Sequence, residues 1–182
     1  MKEATLPEVI ETDRLRLRPW RLGDVDDVLA YARDPEWSRF LQALPQPYGR
    51  QHAEQFIARQ LLLDRVTHPA WAVEIQEKVI GGINVRLDLD NAMGEIGYSI
   101  ARTRWNQGLC TEAARAVIDA AFSTHPELNR IQARADDRNA ASQRVMAKLG
   151  MKKEGVLRKV RVERGEVLDE AWFSILRSEW NS

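Results

Sequence analysis

At the centre of the chain stands the stretch Trp105-Asn106-Gln107-Gly108-Leu109-Cys110-Thr111-Glu112-Ala113. It follows a strand-like run at 95–100 and opens a helix-like run at 109–123. The first turn of a helix has unpaired N–H groups and a partial positive charge, so such a junction is typical of anion sites. At Gly108 the backbone can approach a ligand that a Cβ atom would block. The stretch therefore favours a phosphate cradle, with an ordinary strand-to-helix loop as the alternative.

Two other phosphate-binding patterns do not fit this stretch. No Lys-Ser or Lys-Thr pair follows the glycine, which excludes a Walker P-loop, and the absence of G-x-G-x-x-G excludes a dinucleotide fingerprint. The 182 residues fit one domain, and 27 Lys and Arg balance 27 Asp and Glu, whereas a nucleic-acid-binding domain carries a basic excess. The N-terminus lacks an apolar signal core and no run approaches the roughly 20 apolar residues of a membrane span. We therefore expect a cytoplasmic protein that binds neither nucleic acid nor membrane.

The cysteine and histidine content predicts no metal site. Cys110 is the single cysteine, which excludes an internal disulfide. The three histidines, His52, His68 and His125, are far apart and lack ligand spacing.

Hydrophobic periodicity predicts the element order β-α-α-β-β-β-α-β-α-β-β. The predicted strands cover 10–19, 70–75, 79–89, 93–100, 131–135, 156–162 and 167–176, and the predicted helices cover 24–33, 50–66, 109–123 and 140–149. Gly150 is expected to end the last helix in a left-handed conformation. Without a linker or repeat, this order indicates one α/β (α+β) domain over residues 1–182, with its core at about 8–178. Its central sheet is predicted to be mixed, mostly antiparallel and flanked by helices.

Further segments accompany the glycine turn in a fixed order. They are Glu11-Thr12-Asp13-Arg14-Leu15-Arg16-Leu17-Arg18, Glu95-Ile96-Gly97-Tyr98-Ser99-Ile100, Asn139-Ala140-Ala141-Ser142 and Glu154-Gly155-Val156-Leu157-Arg158. Together with the turn they resemble the GNAT N-acetyltransferase superfamily, in particular the branch that acetylates the N-terminal alanine or serine of ribosomal proteins. The resemblance covers about residues 11–176 and implies a splayed sheet, acetyl-coenzyme A as the donor and an amine as the acceptor.

The resemblance also implies which residues bind the donor. Main-chain groups of Ile100, Ala101 and Arg102 are expected to pair with the pantetheine arm, and Asn139 is expected to bond its amide. Lys148 is a candidate phosphate ligand, with a solvated helix lysine as the alternative. The phosphates are expected to lie on the first turn of the helix, at Gln107, Gly108, Leu109, Cys110 and Thr111. Ser142 completes the expected donor site.

Three positions depart from the family pattern. Cys110 stands where the family's glycine turn usually ends in Gly or Ala, and Trp105 stands where that turn usually starts with Gln or Arg. We interpret Cys110 as a small helix residue and not as a nucleophile, because no histidine lies beside it in sequence. Met146 replaces a tyrosine that donates a proton in many members.

Glu95 is our candidate general base, with a salt-bridged strand glutamate as the alternative. Glu163 is the second candidate. Related enzymes have a glutamate at the position that matches Arg161, and Glu163 lies two residues later, on the same face of the strand. Ser142 is the candidate group for bonding the leaving thiolate, with a serine bonded back to its own helix as the alternative.

The acceptor site is expected between the first two helices, the loop at 37–48 and the final hairpin. Trp37, Phe40, Tyr48 and Tyr98 are its candidate residues, although the loop aromatics alternatively pack the loop onto the core. A protein N-terminal amine is the leading acceptor, and a polyamine, amino acid or antibiotic is the alternative. A non-catalytic acetyl-coenzyme A sensor is a further alternative, and a homodimer is an open alternative for the assembly.

Overall fold

The computed structural model describes residues 4–41 and 44–180, and these residues form an eight-stranded sheet with helices on both faces. The strands are β1 (Ile10–Glu11), β2 (Arg16–Arg18), β3 (Ala70–Ile75), β4 (Lys78–Asp88), β5 (Met93–Ile100), β6 (Arg130–Asp136), β7 (Lys152–Glu163) and β8 (Glu166–Leu176). The helices are α1 (Val25–Ala32), α2 (Arg50–Leu61), α3 (Leu109–Thr124), α4 (Ala140–Lys148) and α5 (Arg177–Trp180). Short 3-10 turns cover Leu22–Asp24 and Arg102–Arg104.

The strand order is β1-β2-β3-β4-β5-β6-β8-β7, and β5 and β6 are the parallel neighbours in an otherwise antiparallel sheet. Their pairing joins Met93, Gly94 and Glu95 to Arg130, Ile131 and Gln132. Both strands continue beyond this point, to Ile100 and to Asp136. The prediction of a mixed, mostly antiparallel and splayed sheet is therefore confirmed.

The sheet separates two hydrophobic clusters, because side chains alternate between the faces of a strand. On one face, Val85 and Ile96 pack with α3 and α4. On the other face, Ala70 and Ala72 pack with α1 and α2. We call these the α3–α4 face and the α1–α2 face.

The first predicted strand, 10–19, is wrong as a single element. It divides into β1 and β2, which pair antiparallel with Ile10 opposite Leu17. Thr12 makes the turn between them: its N–H donates to the Leu15 carbonyl at 2.9 Å, and its hydroxyl accepts the Leu15 N–H at 2.9 Å. Threonine side chains can satisfy backbone groups in this way and interrupt a ladder.

The second predicted helix, 50–66, is also too long. The helix ends at Leu61, and Asp64 then accepts hydrogen bonds from the Val66 N–H at 3.0 Å and the Thr67 hydroxyl at 2.8 Å. An aspartate that bonds the backbone two residues later forms a turn in place of a helix. Among the other predicted elements, β3 and β5 have the predicted bounds and the rest are present with shifted ends, and Gly150 has the expected positive φ of 81°.

Candidate active site

The separation of β5 from β6 opens a wedge in the sheet, which we call the notch. At the end of β5, the Ala101 N–H donates to the Ile80 carbonyl on β4 at 2.6 Å. Because peptide groups along a strand alternate between its two neighbours, those of Tyr98 and Ile100 are directed toward β6 and the notch. An extended ligand can therefore add to this edge as a strand would.

Two of the main-chain groups expected to bind the pantetheine arm already have partners. The Ala101 N–H is bonded to β4, and the Ile100 carbonyl accepts a hydrogen bond from Trp105 Nε1 at 2.7 Å. The Arg102 guanidinium forms an ion pair with Asp34 at the end of α1. Donor binding by Ile100, Ala101 and Arg102 stays a prediction. Trp105, which departs from the family pattern, holds the end of β5 to the glycine turn.

The glycine turn has the backbone shape that anion binding needs. Gly108 precedes α3 with φ 77° and ψ 0°, and Asn106 also has a positive φ of 60°. Left-handed residues that alternate with ordinary ones form a concave nest of N–H groups. This nest meets the N-terminus of the 16-residue helix α3, so N–H groups and the positive end of the helix dipole coincide.

Arg14 contacts this turn from the distant β1–β2 segment, and its role there was not predicted from the sequence. Its Nη1 donates to the Gln107 carbonyl at 2.9 Å, and its Nη2 lies 2.6 Å from a Glu112 carboxylate oxygen. The Thr12 hydroxyl donates to the same carboxylate at 2.6 Å. Partial burial opposes ionisation of Glu112, but the bonds from Thr12 and Arg14 outweigh it and lower its pKa. Arg14 thus neutralises a carboxylate that would otherwise repel a phosphate from the cradle.

The other expected donor-site residues lie on and before α4. Asn139 caps this helix, because its Oδ1 accepts the Ser142 N–H at 3.1 Å. Lys148 is exposed at the far end of α4, where its carbonyl accepts Arg115 Nη2 at 3.1 Å. Met146 is 1% exposed and belongs to the core.

Tyr98 and Ser142 meet through their hydroxyl groups. The Tyr98 oxygen lies 3.2 Å from Ser142 Oγ and 3.3 Å from the Ser142 carbonyl oxygen. Burial raises the pKa of Tyr98, against the opposing effect of its bond to Ser142, so the phenol stays protonated at neutral pH. The pair places two hydroxyl groups on the α3–α4 side of the notch. Ser142 lies one helical turn before Met146, which has no hydroxyl group of its own.

Cys110 does not have the surroundings of a nucleophile. Burial raises the pKa of its thiol to about 12. Since the thiolate is the reactive form, the thiol is inert at neutral pH. This agrees with our interpretation of Cys110 as a small helix residue.

Glu95 occupies the last paired position before the notch opens. Its carboxylate accepts Gln132 Nε2 at 3.1 Å and Arg134 Nε at 3.2 Å. The salt bridge of the alternative interpretation is therefore present. Because Glu95 and Tyr98 differ by an odd number of positions, their side chains emerge on opposite faces of the sheet. Glu95, the candidate base, thus lies on the α1–α2 face, whereas Ser142, which Tyr98 contacts, lies on the α3–α4 side.

A cavity of about 260 Å³ lies on the α1–α2 face and is bordered by three of the four predicted acceptor residues, Trp37, Tyr48 and Tyr98, although the Tyr98 side chain itself packs on the α3–α4 face. We call it the aromatic cavity. It is lined by Trp20, Val28, Tyr31, Trp37, Leu41, Leu44, Tyr48, Phe56, Gln60, Gly82, Ile83, Asn84, Gly97, Tyr98 and Ser99. Among the described residues, these include no acidic side chain. Trp37 Nε1 is buried and has no hydrogen-bond partner among them.

The fourth residue, Phe40, lies apart from the aromatic cavity. Phe40 lines a second, charged cavity of about 280 Å³. The charged cavity is lined by Arg39, Phe40, Asp136, Arg138, Arg161, Glu163, Arg164, Glu166 and Leu168. Arg164 Nη2 donates to the Ser38 carbonyl at 3.3 Å and joins the β7–β8 hairpin to the loop.

Neither a membrane-spanning helix nor a metal cluster is found within residues 4–41 and 44–180. No helix there is long and apolar enough to cross a membrane. No three His, Cys, Asp or Glu side chains there are grouped to hold a metal ion.

Comparison with known proteins places this geometry among acetyltransferases. The profile described as "Acetyltransferase (GNAT) domain" matches residues 14–152. The uncharacterized N-acetyltransferase p20 of Bacillus licheniformis is 33% identical over 95% of this chain and 98% of its own length.

Two solved structures share the fold at lower identity. A Vibrio cholerae protein proposed to be a ribosomal-protein-serine acetyltransferase is 24% identical, with a TM-score of 0.81 over 94% of this chain and 99% of its own. The microcin C7 self-immunity acetyltransferase MccE, in complex with acetyl-CoA and AMP, is 17% identical, with a TM-score of 0.84 over 95% and 98% of the two chains.

Proposed function

Because this chain belongs to the GNAT acetyltransferase family and is an N-acetyltransferase, we propose that it transfers the acetyl group of acetyl-CoA directly to a protein N-terminal α-amine. The observation that carries the proposal is the notch between β5 and β6, which leads to the glycine turn at the start of α3. A thioester held in the notch is within reach of both faces of the sheet.

The shape of acetyl-CoA fits the two parts of this site. Its pyrophosphate matches the nest at Asn106 and Gly108, where Arg14 supplies positive charge. Its pantetheine arm carries amide groups that can pair with the exposed edge of β5. The neighbour MccE was solved with acetyl-CoA, which supports the same donor here.

The transfer requires movement of protons at two atoms. The amine nitrogen forms a bond to the thioester carbon, the carbon–sulfur bond breaks, one proton leaves the nitrogen and one reaches the thiolate. Glu95 accepts the amine proton, directly or through a water molecule. Ser142 donates a hydrogen bond to the sulfur, and Tyr98 orients that hydroxyl. The Ile100 N–H, directed at the notch, is the candidate donor to the oxyanion.

Two observations favour an N-terminal amine over a polycationic small amine. The described lining of the aromatic cavity is uncharged, whereas a polyamine or aminoglycoside site needs carboxylates to balance its ligand. The Vibrio cholerae neighbour is proposed to act on ribosomal protein, and this chain carries the sequence segments that resemble that branch.

A screen of acceptors tests the proposal. Thiol release from acetyl-CoA should be measured with peptides that differ at the first two residues, and with polyamines, free amino acids and aminoglycosides. We expect release with peptide N-termini. Faster release with a polyamine or aminoglycoside would overturn the N-terminal acceptor, and tight acetyl-CoA binding without release on any acceptor would favour a sensor.

A further inference from the structure

A line of ion pairs leads from the notch to the charged cavity. Glu95 pairs with Arg134 at 3.2 Å, Arg134 with Glu170 at 3.2 Å, and Glu170 with Arg161 at 3.5 Å. All four side chains lie on the α1–α2 side of the sheet. Glu170 is 1% exposed and does not border the cavity, whereas Arg161 does.

This line is incompletely hydrogen-bonded. Arg161 Nε, Glu170 Oε1 and Trp172 Nε1 are buried without a hydrogen-bond partner among the described residues. The Trp172 ring stacks under Arg134, with 5.4 Å between the guanidinium carbon and the ring centroid. Buried polar groups normally find a partner, and a cluster of unsatisfied ones indicates a missing ligand or water. Glu170 balances the charge of Arg161, but at 3.5 Å it does not complete the bonds.

Arg138, another cation of the cavity, is already paired. Arg138 holds Asp136 through two bonds, at 2.9 and 2.8 Å, and also donates to Glu166 at 3.1 Å. Hydrogen bonding to Arg138 lowers the pKa of Asp136, which keeps this pair ionised. Arg161, whose side chain is 16% exposed, is the least exposed of the arginines that line the cavity.

We propose that Arg161 binds a carboxylate of the acceptor, so that this enzyme prefers amines that carry a carboxylate close to the reacting nitrogen. The planar guanidinium matches a carboxylate with two parallel bonds. The inference rests on the proposed function, because it concerns the acceptor of the same transfer. The carboxylate has two sources, the α-carboxylate of a free amino acid or an acidic side chain at the second position of a peptide.

Matched acceptors test the preference without any mutation. One arm compares tripeptide amides that begin Ser-Glu and Ser-Gln, and the other compares phenylalanine with phenylalaninamide. We expect kcat/KM to be about 10- to 100-fold higher for the carboxylate member in one arm, which identifies the source. Equal kcat/KM within both pairs overturns this inference and leaves the N-acetyltransferase intact, whereas a lack of transfer to the peptides, with or without transfer to phenylalanine, contradicts the proposed N-terminal acceptor.

Variants then assign the preference to Arg161. Arg161→Gln should remove the preference, by lowering kcat/KM about 10- to 100-fold more for the carboxylate member than for the amide member, and Arg161→Lys should restore part of it. Arg158→Gln is the matched control, because Arg158 is exposed on the same strand and does not line the cavity. An unchanged preference in Arg161→Gln, or an equal loss for both members in a variant with wild-type melting behaviour, overturns the assignment.

Discussion

Gly108 and Arg14 show how far single residues could be predicted. Gly108 could be singled out from its own neighbours, since a glycine before a helix is a local pattern, and the structure gives it a φ of 77°. Arg14 is separated from Gln107 by 93 positions, so no local pattern could place it in the turn. The same holds for the contact of Tyr98 with Ser142 across 44 positions. Short-range chemistry was visible in the sequence, and long-range partners were not.

Replacement of Gly108 tests the phosphate cradle. Gly108→Val should lower acetyl-CoA affinity by at least about 100-fold, because a Cβ fills the approach to the nest and the left-handed backbone costs about 1–2 kcal/mol. Calorimetric titration measures the loss. Gly165→Val is the control, since Gly165 also has a φ of 81° but lies in the β7–β8 turn. Equal acetyl-CoA affinities for Gly108→Val and Gly165→Val would contradict phosphate binding at the glycine turn.

Replacement of the two candidate bases tests the proton path. Glu95→Gln should lower kcat by about 100-fold or more, in the range of lost general-base catalysis, with a smaller change in the KM for acetyl-CoA. Glu163→Gln is the comparison, because Glu163 lines the charged cavity and not the notch. Steady-state kinetics distinguishes the two variants. A larger loss of kcat in Glu163→Gln than in Glu95→Gln would identify Glu163 as the general base.

At the scale of elements, a clasp joins the β1–β2 turn to the first turn of α3. Thr12 and Arg14 hold Glu112, whose folded pKa is lowered. Its stabilisation is therefore fully present above the unfolded pKa of about 4.3 and is lost as the pH falls through the lower folded value.

Glu112→Gln should thus lower the free energy of unfolding by about 1 kcal/mol at neutral pH, a modest value because Arg14 is half exposed. The corresponding decrease in Tm is about 2–4 °C. Melting curves from pH 7 to pH 3 should show a constant gap above about pH 5 that narrows below about pH 4. A gap that widens in acid would contradict the clasp.

Most helices and strands could be predicted, because hydrophobic periodicity and turn residues are local features of the sequence. The strands 70–75 and 93–100 coincide with β3 and β5, and α3 begins at the predicted Leu109. The errors arose where a side chain bonds the backbone, at Thr12 and at Asp64. Such bonds compete with a ladder or a helix, and hydrophobic periodicity does not reveal them.

At the scale of the whole molecule, the site forms where distant segments meet. β5 and β6 pair over three residues and then separate, which provides the notch, and residues 37–41 and 44–48 line the acceptor side together with the β7–β8 hairpin. The family resemblance implied the notch, but the division into an aromatic and a charged cavity depends on where Phe40 and Arg161 lie in three dimensions. That division had no signal in the sequence.

The most direct measurement is the position of the acetyl group on a peptide that carries both an N-terminal amine and an internal lysine. The peptide is incubated with the enzyme and acetyl-CoA, and tandem mass spectrometry locates the modification. The account predicts acetylation of the α-amine, dependent on Gly108 and without an acetylated enzyme. Acetylation of the lysine alone, or acetyl-CoA binding with no acetylated peptide across a panel of N-terminal sequences, would contradict it.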